Sequence, residues 1–256
     1  MSLRLGNSIT SEITPFENLV SLELDGVNDL LNLGDSDTFS FGDGSSDTAF
    51  SFSIWYKTSD VSASALISKS GDVSAEREYY LYIGGDDKLY FALWDYSSGG
   101  YFYSRSNATL TSTQGSWTHI AVTYDGSGAN TGQTIYFNNV SQAVIRVDST
   151  IGSGAYVAME NTAYPLKIGS LLTGSFFGGD LDEFSMWSKE LTADEVGVIY
   201  NSGEPTDLSG ASGLIGWWRM GDTAIFPTIP DASTNSNSGT MTNMSSGDIT
   251  TDVPPS

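Results

Sequence analysis

Cysteine is absent from this 256-residue sequence, and histidine occurs once, as His119. Without thiols the chain cannot form disulfides, cysteine–zinc sites, iron–sulfur clusters or a cysteine nucleophile. A serine–histidine triad or a histidine zinc site could be built only around the single histidine. Because His119 lies within a predicted strand, we interpret it as a hydrogen-bonded structural side chain.

Basic residues are also scarce, since 10 Lys and Arg face 31 Asp and Glu and the formal net charge is −21. Such a chain would repel the phosphates of nucleic acids and the anionic surface of a membrane. The sequence has no run of about 18 consecutive apolar residues, and its first residues lack the apolar segment of a secretory signal. We therefore expect no nucleic-acid partner, no membrane insertion and no signal peptide.

The residues that are abundant indicate turns and short strands. Hydrophobic residues make up 39% and aromatic residues 12% of the chain, which is more than an acidic disordered segment would contain. Aspartate outnumbers glutamate by 21 to 10, and glycine occurs 28 times. Because Asp and Gly favour turns and disfavour helices, this composition predicts many short strands joined by tight turns.

Alternating apolar residues mark the predicted strands. Apolar residues recur with a period of two over residues 20–24, 50–56 and 117–125. A period of two places one set of side chains on a buried sheet face. Residues 84–87, which read Gly-Gly-Asp-Asp, predict a hairpin. Residues 192–195 carry the capping box of one short helix. Many short strands at this spacing indicate a β-sandwich or a barrel.

Closely spaced carboxylates are the strongest catalytic signal. Acids two residues apart, which share one face of a strand, occur in the segments 23–25 and 180–182. Paired carboxylates are the machinery of glycoside hydrolases. A catalytic site of the laminarinase type has a Glu-x-Asp-x-x-Glu arrangement. When this pattern is aligned to begin at Glu23, Asn28 stands at the position of the second glutamate. An amide has no titratable proton and cannot act as the general acid. We therefore predict no enzymatic activity and keep a jelly-roll glycoside hydrolase as an alternative.

Oxygen ligands for a calcium ion are concentrated in one predicted turn. Asp25, Asn28 and Asp29 lie together there, and calcium prefers carboxylate, amide and carbonyl oxygens. The density of ligands is the basis of this interpretation, because no EF-hand pattern is present. A solvated aspartate turn would explain the same residues equally well.

Aromatic residues are frequent among small polar ones over residues 94–103. Carbohydrate recognition needs rings on which sugars can stack, and Trp and Tyr are also frequent anchors of protein interfaces. Strict alternation would turn half of these rings into the core, where they would only pack. We name as candidate ligand-binding residues Trp94, Tyr96, Tyr101 and Tyr103.

Several segments together resemble the laminin-G-like, concanavalin A-like jelly-roll domain. The match extends over about residues 19–203. Asn139 departs from the pattern, because the family usually has a glycine at that position of the turn. The segments that carry the resemblance are SLELDGVND (21–29), FSIWYKT (52–58), WTHIAVTYDG (117–126), IYFNN (135–139), LKIG (166–169) and FGGDLDEFSMW (177–187).

The resemblance implies an all-β fold, an antiparallel two-sheet jelly-roll β-sandwich with one short helix. It also implies a binding rather than a catalytic role, often together with a calcium ion. Carried over by position, the calcium ligands would be Asp25, Asn28, Asp29 and Asp182. Glycans and proteins are both ligands of such domains, so the fold does not choose between them.

The resemblance also divides the chain into an N-terminal arm (1–18), the β-sandwich (19–204) and a C-terminal segment (205–256) with a Trp-rich strand and a polar tail. Within the last segment, residues 214–222 and 231–241 resemble the stretch that normally opens a domain of this family. Here that stretch follows the sandwich. We expect it to return as an extra strand or to pair with a neighbouring subunit in a homo-oligomer.

Chains of this design also resemble virion proteins of phages and marine viruses. The resemblance implies a non-enzymatic virion structural or surface protein, such as a capsid decoration, a fibre or a tail adhesin. Its partners would be other virion proteins or host-surface glycans, and its location would be the virion surface or the extracellular space. A free carbohydrate-binding module is the first alternative to this function.

Overall fold

The computed structural model of the chain describes residues 16–60, 62–150, 154–171 and 174–255. In these ranges two antiparallel sheets face each other. The first sheet contains β1 (Ser21–Asp25), β3 (Phe50–Lys57), β8 (Thr118–Tyr124), β9 (Gln133–Phe137), β10 (Val140–Ser141), β15 (Gly178–Trp187), β16 (Leu214–Trp218) and β19 (Ile249–Thr250). The second contains β2 (Leu30–Gly34), β4 (Ser64–Ser70), β5 (Arg77–Ile83), β6 (Leu89–Asp95), β7 (Gly100–Ser106), β11 (Val144–Thr150), β12 (Leu166–Ile168), β17 (Thr228–Ile229) and β18 (Gly239–Thr242).

Strands that are neighbours in space are often distant in sequence. The order of the first sheet is β10-β9-β8-β3-β15-β1-β19, with β16 paired to the far end of β15, and the order of the second is β11-β7-β6-β5-β4-β12-β2-β18-β17. A small hairpin of β13 (Ser170–Leu171) and β14 (Ser175–Phe176) accompanies them. The predicted antiparallel two-sheet jelly-roll sandwich is therefore confirmed.

One short α-helix interrupts the strands, as the capping box predicts. This helix, α1 (Ala193–Tyr200), begins after Thr192, whose hydroxyl accepts from the backbone N–H of Glu195. The Glu195 carboxylate accepts in return from the backbone N–H of Thr192, so two otherwise unpaired donors are satisfied. None of the helices in the described ranges reaches the length and apolarity that crossing a bilayer requires.

The core between the sheets is built from alternating residues of facing strands. Phe50, Phe52 and Ile54 point inward from β3, and each is at most 1% exposed. The second sheet contributes Tyr79 and Phe91, whose ring centroids lie 5.6 and 5.8 Å from that of Phe50. Burial of one such apolar side chain stabilises a fold by about 1.5–3 kcal/mol, so this aromatic layer is a main source of stability.

A smaller apolar cluster covers the outer side of the first sheet. Val196 and Ile199 of α1 pack there with Trp187 and Trp217. The helix therefore shields one sheet from solvent on the side that faces away from the core. Its apolar stripe has the spacing of three residues that places both side chains on one helix face.

His119 lies on the outer side of β8, next to this cluster. Its Nε2 is 2.7 Å from the hydroxyl of Ser53, and its ring centroid is 5.2 Å from that of Trp55. Burial lowers the pKa of His119 to about 3, so the ring is neutral at physiological pH. These contacts agree with the structural role interpreted from the sequence.

The C-terminal segment completes both sheets. β16 pairs with β15, β18 with β2 and β19 with β1. The segment therefore returns to its own chain, which is one of the two arrangements expected from the sequence. Of the expected N-terminal arm, residues 1–15 lie outside the described residues, whereas Phe16 stacks on Trp217 with ring centroids 6.0 Å apart.

A buried polar cluster holds the chain next to Phe16 against the first sheet. Nδ2 of Asn18 donates to Oδ2 of Asp182 at 2.7 Å. Arg219 bonds to two acids, with Nε 3.1 Å from Oε1 of Glu183 and Nη2 2.8 Å from Oδ2 of Asp222. Two of the three carboxyl groups in this mostly closed site therefore pair with one guanidinium, and Asp182 is left with the amide of Asn18.

Burial of this cluster favours the protonated acids. Burial raises the pKa of Asp182 well above its ordinary value of 3.8, and the Glu183 carboxyl adds to the effect. Burial also raises the pKa of Glu183 above 4.5, although Arg219 opposes the shift. Because the folded state binds more protons than the unfolded state above these ordinary values, the two acids reduce stability as the pH rises toward their raised pKa values.

We expect Asp182→Asn to raise the free energy of unfolding near pH 8 by about 1 kcal/mol, because a buried charge is removed. The new amide can still accept from the N–H of Glu183, as Oδ1 of Asp182 does at 2.8 Å. Its NH2 group replaces Oδ2, which now accepts from Nδ2 of Asn18, so the Asn18 amide must turn over to present Oδ1, an atom without a partner in the described part of the chain, as the new acceptor. The measurement is urea unfolding near pH 5 and pH 8.

The control for this variant is Asp194→Asn, which removes an equal charge from the exposed first turn of α1. The change in the free energy of unfolding between pH 5 and pH 8 should be smaller for Asp182→Asn than for wild type. For the control it should stay close to the wild-type value. A variant at Asp182 that is less stable than wild type near pH 8 would contradict this account of the cluster.

Candidate functional site

The turn between β1 and β2 brings together three of the four predicted calcium ligands. Oδ1 of Asp25 accepts from the backbone N–H groups of Val27 and Asn28 at 2.8 and 3.2 Å. Oδ2 of Asp29 accepts from the N–H of Asp25 at 3.1 Å. The carboxylates therefore stabilise their own turn, and the Val27 N–H makes the largest contribution to a lowered pKa of Asp25.

Asp182, the fourth predicted ligand, is not part of this turn. Asp25 pairs with Gly178 at the start of β15, and Asp182 lies four residues farther along that strand, about 13 Å away at the usual rise of a strand. Among the described residues, no group of three or more Asp, Glu or His has the geometry to hold a metal ion. Calcium binding stays a prediction.

Six partly or mostly buried aromatic side chains share the outer side of the second sheet. They come from three consecutive strands, β5, β6 and β7, and alternate with core residues such as Leu81, Phe91 and Phe102. Successive side chains of a strand point to opposite faces. Because the core residues are buried between the sheets, the aromatic residues that alternate with them lie on the outer face. We call this surface the aromatic face, formed by Tyr80, Tyr82, Tyr90, Trp94, Tyr101 and Tyr103.

Strand register brings these rings into contact. Trp94 is directly opposite Tyr101, and the two rings stack with centroids 4.1 Å apart and an interplanar angle of 14°. The Tyr101 and Tyr103 rings are nearly parallel, at 18°, with centroids 6.5 Å apart. Tyr90 lies across from Tyr82 on the neighbouring strand, with centroids 6.3 Å apart. The rings therefore form a continuous surface across three strands.

Two arginines lie at opposite ends of the aromatic face. The guanidinium of Arg77 lies 4.8 Å from the centroid of the Trp94 ring, and that of Arg105 lies 5.9 Å from the Tyr90 ring. Nη1 of Arg105 also donates to Oδ2 of Asp86 at 3.0 Å. Cation–π contacts of this kind fix the long side chains in place, which leaves planar donors beside the rings.

Three tyrosine hydroxyls of the aromatic face, those of Tyr80, Tyr82 and Tyr103, stay protonated at neutral pH. Burial raises the pKa of Tyr80 to about 12. Burial also raises the pKa of Tyr82 and that of Tyr103. The surface therefore combines apolar ring faces with hydroxyl and guanidinium donors, which suits a ligand that has both C–H faces and hydroxyl oxygens.

A cavity of about 670 Å³ adjoins the aromatic face at the edge of the second sheet. Tyr101 belongs to both, and polar residues such as Asn130 and Asp148 line the cavity wall. This volume is typical of ligand sites in proteins, which measure about 300–1,000 Å³. The face and the cavity together form one extended surface.

The sequence identified half of the aromatic face. Trp94, Tyr101 and Tyr103 were named from the sequence and lie on it. Tyr96 lies instead in the turn after β6, where it is 49% exposed and its backbone N–H donates to Glu160 at 2.8 Å. The residues that sequence reasoning missed are Tyr80, Tyr82, Tyr90, Arg77 and Arg105.

A signal for the missed residues is present in the sequence. Tyr80 and Tyr82 are two residues apart, and Arg105 follows Tyr103 at the same spacing. A period of two predicts that each pair shares a face. The pattern alone does not say that the three strands are neighbours, and the hydrogen-bond register supplies that information.

Comparisons with known proteins agree with this architecture. The family model described as the concanavalin A-like lectin/glucanases superfamily matches residues 31–197, more than half of the chain. No curated protein matches the chain.

Solved structures share the fold at low sequence identity. A proposed carbohydrate-binding protein from Bacteroides ovatus ATCC 8483 has a TM-score of 0.59 and 19% identity, and the match covers 94% of this chain but 62% of that one. The CBM40 of the IT-sialidase from Ruminococcus gnavus has a TM-score of 0.50 and 13% identity, covering 70% of this chain and 95% of that one. The likeness at these identities concerns the fold. The chain therefore spans about three fifths of the length of its Bacteroides relative.

We expect Asp25→Ala to lower the free energy of unfolding by about 1 kcal/mol, since two backbone N–H groups lose their acceptor. If the carboxylate serves only its turn, the loss is the same with calcium and with a chelator. Thermal unfolding of the wild type and the variant, each with calcium and with a chelator, measures this loss of stability. A calcium-dependent rise in Tm that occurs in wild type and is lost in Asp25→Ala would instead support the calcium prediction.

Proposed function

We propose that this chain, which belongs to the concanavalin A-like lectin/glucanases superfamily, is a non-enzymatic binding protein that holds a glycan on its aromatic face. The observation that carries the proposal is the row of stacked rings on the outer side of the second sheet, in which Trp94 lies over Tyr101 at 4.1 Å. The five tyrosines of the face are partly exposed and Trp94 is 8% exposed, although aromatic side chains are stabilised by burial. A ligand would cover them.

The chemistry of the aromatic face matches a sugar better than a wholly apolar ligand. A pyranose has an apolar C–H side that can lie on a ring and hydroxyl groups around its rim. Tyr82 and Tyr103 provide ring surface with protonated hydroxyls, and Arg77 provides further donors beside Trp94. The description of the Bacteroides ovatus relative as a proposed carbohydrate-binding protein supports the same ligand class.

The proposal assigns no catalytic step to the aromatic face. Of the carboxylates near it, Asp86 is paired with Arg105 at 3.0 Å, and Glu78 is buried 3.0 Å from the ammonium of Lys69. Neither is placed as a free acid next to a second one, as glycoside hydrolysis requires. Hydrolysis of a β-glucan that Glu23→Gln abolishes would contradict the non-enzymatic proposal and favour the hydrolase alternative.

We also propose the virion surface as the place where this binding occurs, with host-surface glycans or other virion proteins as partners. The basis of this part is the resemblance of the sequence segments to phage and marine-virus virion proteins. Mass spectrometry of purified virions tests it directly. Detection of the chain supports the proposal, and its absence from particles would leave a free carbohydrate-binding module as the better description.

Glycan-array binding should weaken about tenfold in Tyr101→Ala and in Tyr103→Ala, because each loses a stacking surface whose contribution is on the order of 1–1.5 kcal/mol. Phe226→Ala is the matched control, since Phe226 is another partly exposed ring, 45% exposed, on a distant loop. Unfolding curves establish that the variants remain folded. Wild-type protein that binds no glycan on a broad array would overturn the proposal and favour a protein ligand.

A further inference from the structure

A second cavity of about 510 Å³ lies at one end of the sandwich, away from the aromatic face. Its walls come from the turn after β1, the end of β3 and the beginning of β15. Its charged lining residues are one lysine and four acids, namely Lys57, Glu23, Asp25, Asp60 and Asp180. The cavity therefore has an excess of negative charge.

Three of the charged residues form a row across adjacent strands. Asp180 of β15 pairs with Lys57 of β3 on one side and with Glu23 of β1 on the other. Residues directly opposite in this way have Cβ atoms about 5 Å apart. The strand register thus joins two acids that are 157 positions apart in the sequence, from 23 to 180.

The two acids of this row lack donors. Nζ of Lys57 lies 3.9 Å from Oδ2 of Asp180 and hydrogen bonds instead to the carboxylate of Asp252. In the described part of the chain, no hydrogen bond reaches the carboxylate of Asp180 or of Glu23. A positively charged ligand group would therefore be stabilised by these two carboxylates.

A buried hydroxyl in the same cavity also lacks a partner. Ser64 is 4% exposed, and its Oγ makes no hydrogen bond to any described residue. Buried polar groups are nearly always hydrogen bonded, so this hydroxyl points independently to a polar ligand. Further hydroxyls line the cavity at Ser59 and Ser62, whereas that of Thr58 is already hydrogen bonded to the backbone of Asp60 and Gly178.

Glycines in the cavity wall allow neighbouring chain segments to approach closely. A Cβ atom at Gly179, whose φ is +135°, would lie 2.3 Å from the carbonyl oxygen of Lys57. A Cβ at Gly178 would lie 3.3 Å from the backbone of Gly26. Two chain segments therefore approach each other more closely here than residues with side chains allow.

We propose that this cavity binds an amino sugar, with Asp180 and Glu23 as counter-charges for its ammonium group and the lining hydroxyls as partners for its hydroxyl groups. The volume suits a small organic ligand and greatly exceeds that of a bare ion. A calcium ion would need six to eight oxygen ligands, and no suitable group of acids occurs among the described residues. This site is independent of the aromatic face, so either can fail alone.

The test is isothermal titration of the whole chain with glucosamine and with N-acetylglucosamine near pH 7. Both sugars have the same ring, but only glucosamine carries a positive charge. We expect glucosamine to bind and N-acetylglucosamine to bind at least about tenfold more weakly. Equal binding of both sugars, or no binding of glucosamine, would overturn the proposal.

Two variants locate the binding. Asp180→Asn and Glu23→Gln should each weaken glucosamine binding about tenfold or more, while Asp194→Asn, which removes an equal charge at α1, should not. Binding that survives at Asp180→Asn and Glu23→Gln but is lost in Tyr101→Ala would place the sugar on the aromatic face and refute this site.

Two further titrations define the ligand. Nα-acetyl-lysine methylamide supplies an ammonium group without sugar hydroxyls, and affinity equal to that of glucosamine would refute the sugar assignment. Calcium ions at the same concentration should not displace glucosamine. Displacement would identify the cavity as a metal site instead.

Discussion

The alternation of side chains along paired strands is the constraint on which the rest of this structure depends. Once Phe91 and Phe102 enter the core, the residues at odd spacings from them along β6 and β7 must face outward, and in this chain those residues include Trp94 and Tyr103. The aromatic face is thus a direct consequence of how the core is filled. A shift of one residue in register would exchange the two sets of rings.

Positive charges are placed where distant parts of the chain meet. Lys69 is fully buried, and its ammonium donates to the carbonyl oxygens of Thr162 and Tyr164 and to Asp35. Arg219 similarly joins the chain around Glu17 to the acids of the first sheet. In a molecule with a net charge of −21, long-range repulsion opposes compaction, and these cations act locally against it.

The sequence predicted the fold class, the helix and part of the aromatic face, because each depends on a local repeat or motif. It could not predict which strands become neighbours. The pairing of Glu23 with Asp180 follows from register between β1 and β15, and the separation of Asp182 from the calcium turn follows from the same pairing. The left-handed φ of 50° at Glu183, which coincides with a register shift against β3, has no local sequence signal.

The way the C-terminal strands close both sheets has a consequence for the order of folding. β1 lies between β15 and β19, and β2 lies between β12 and β18. β1 and β2, which precede the other strands of this sandwich in the sequence, therefore acquire a full set of neighbours only after residues 239–250 have been synthesised. Pairings across such sequence distances form slowly, so the nascent chain exposes apolar strand edges throughout most of its translation.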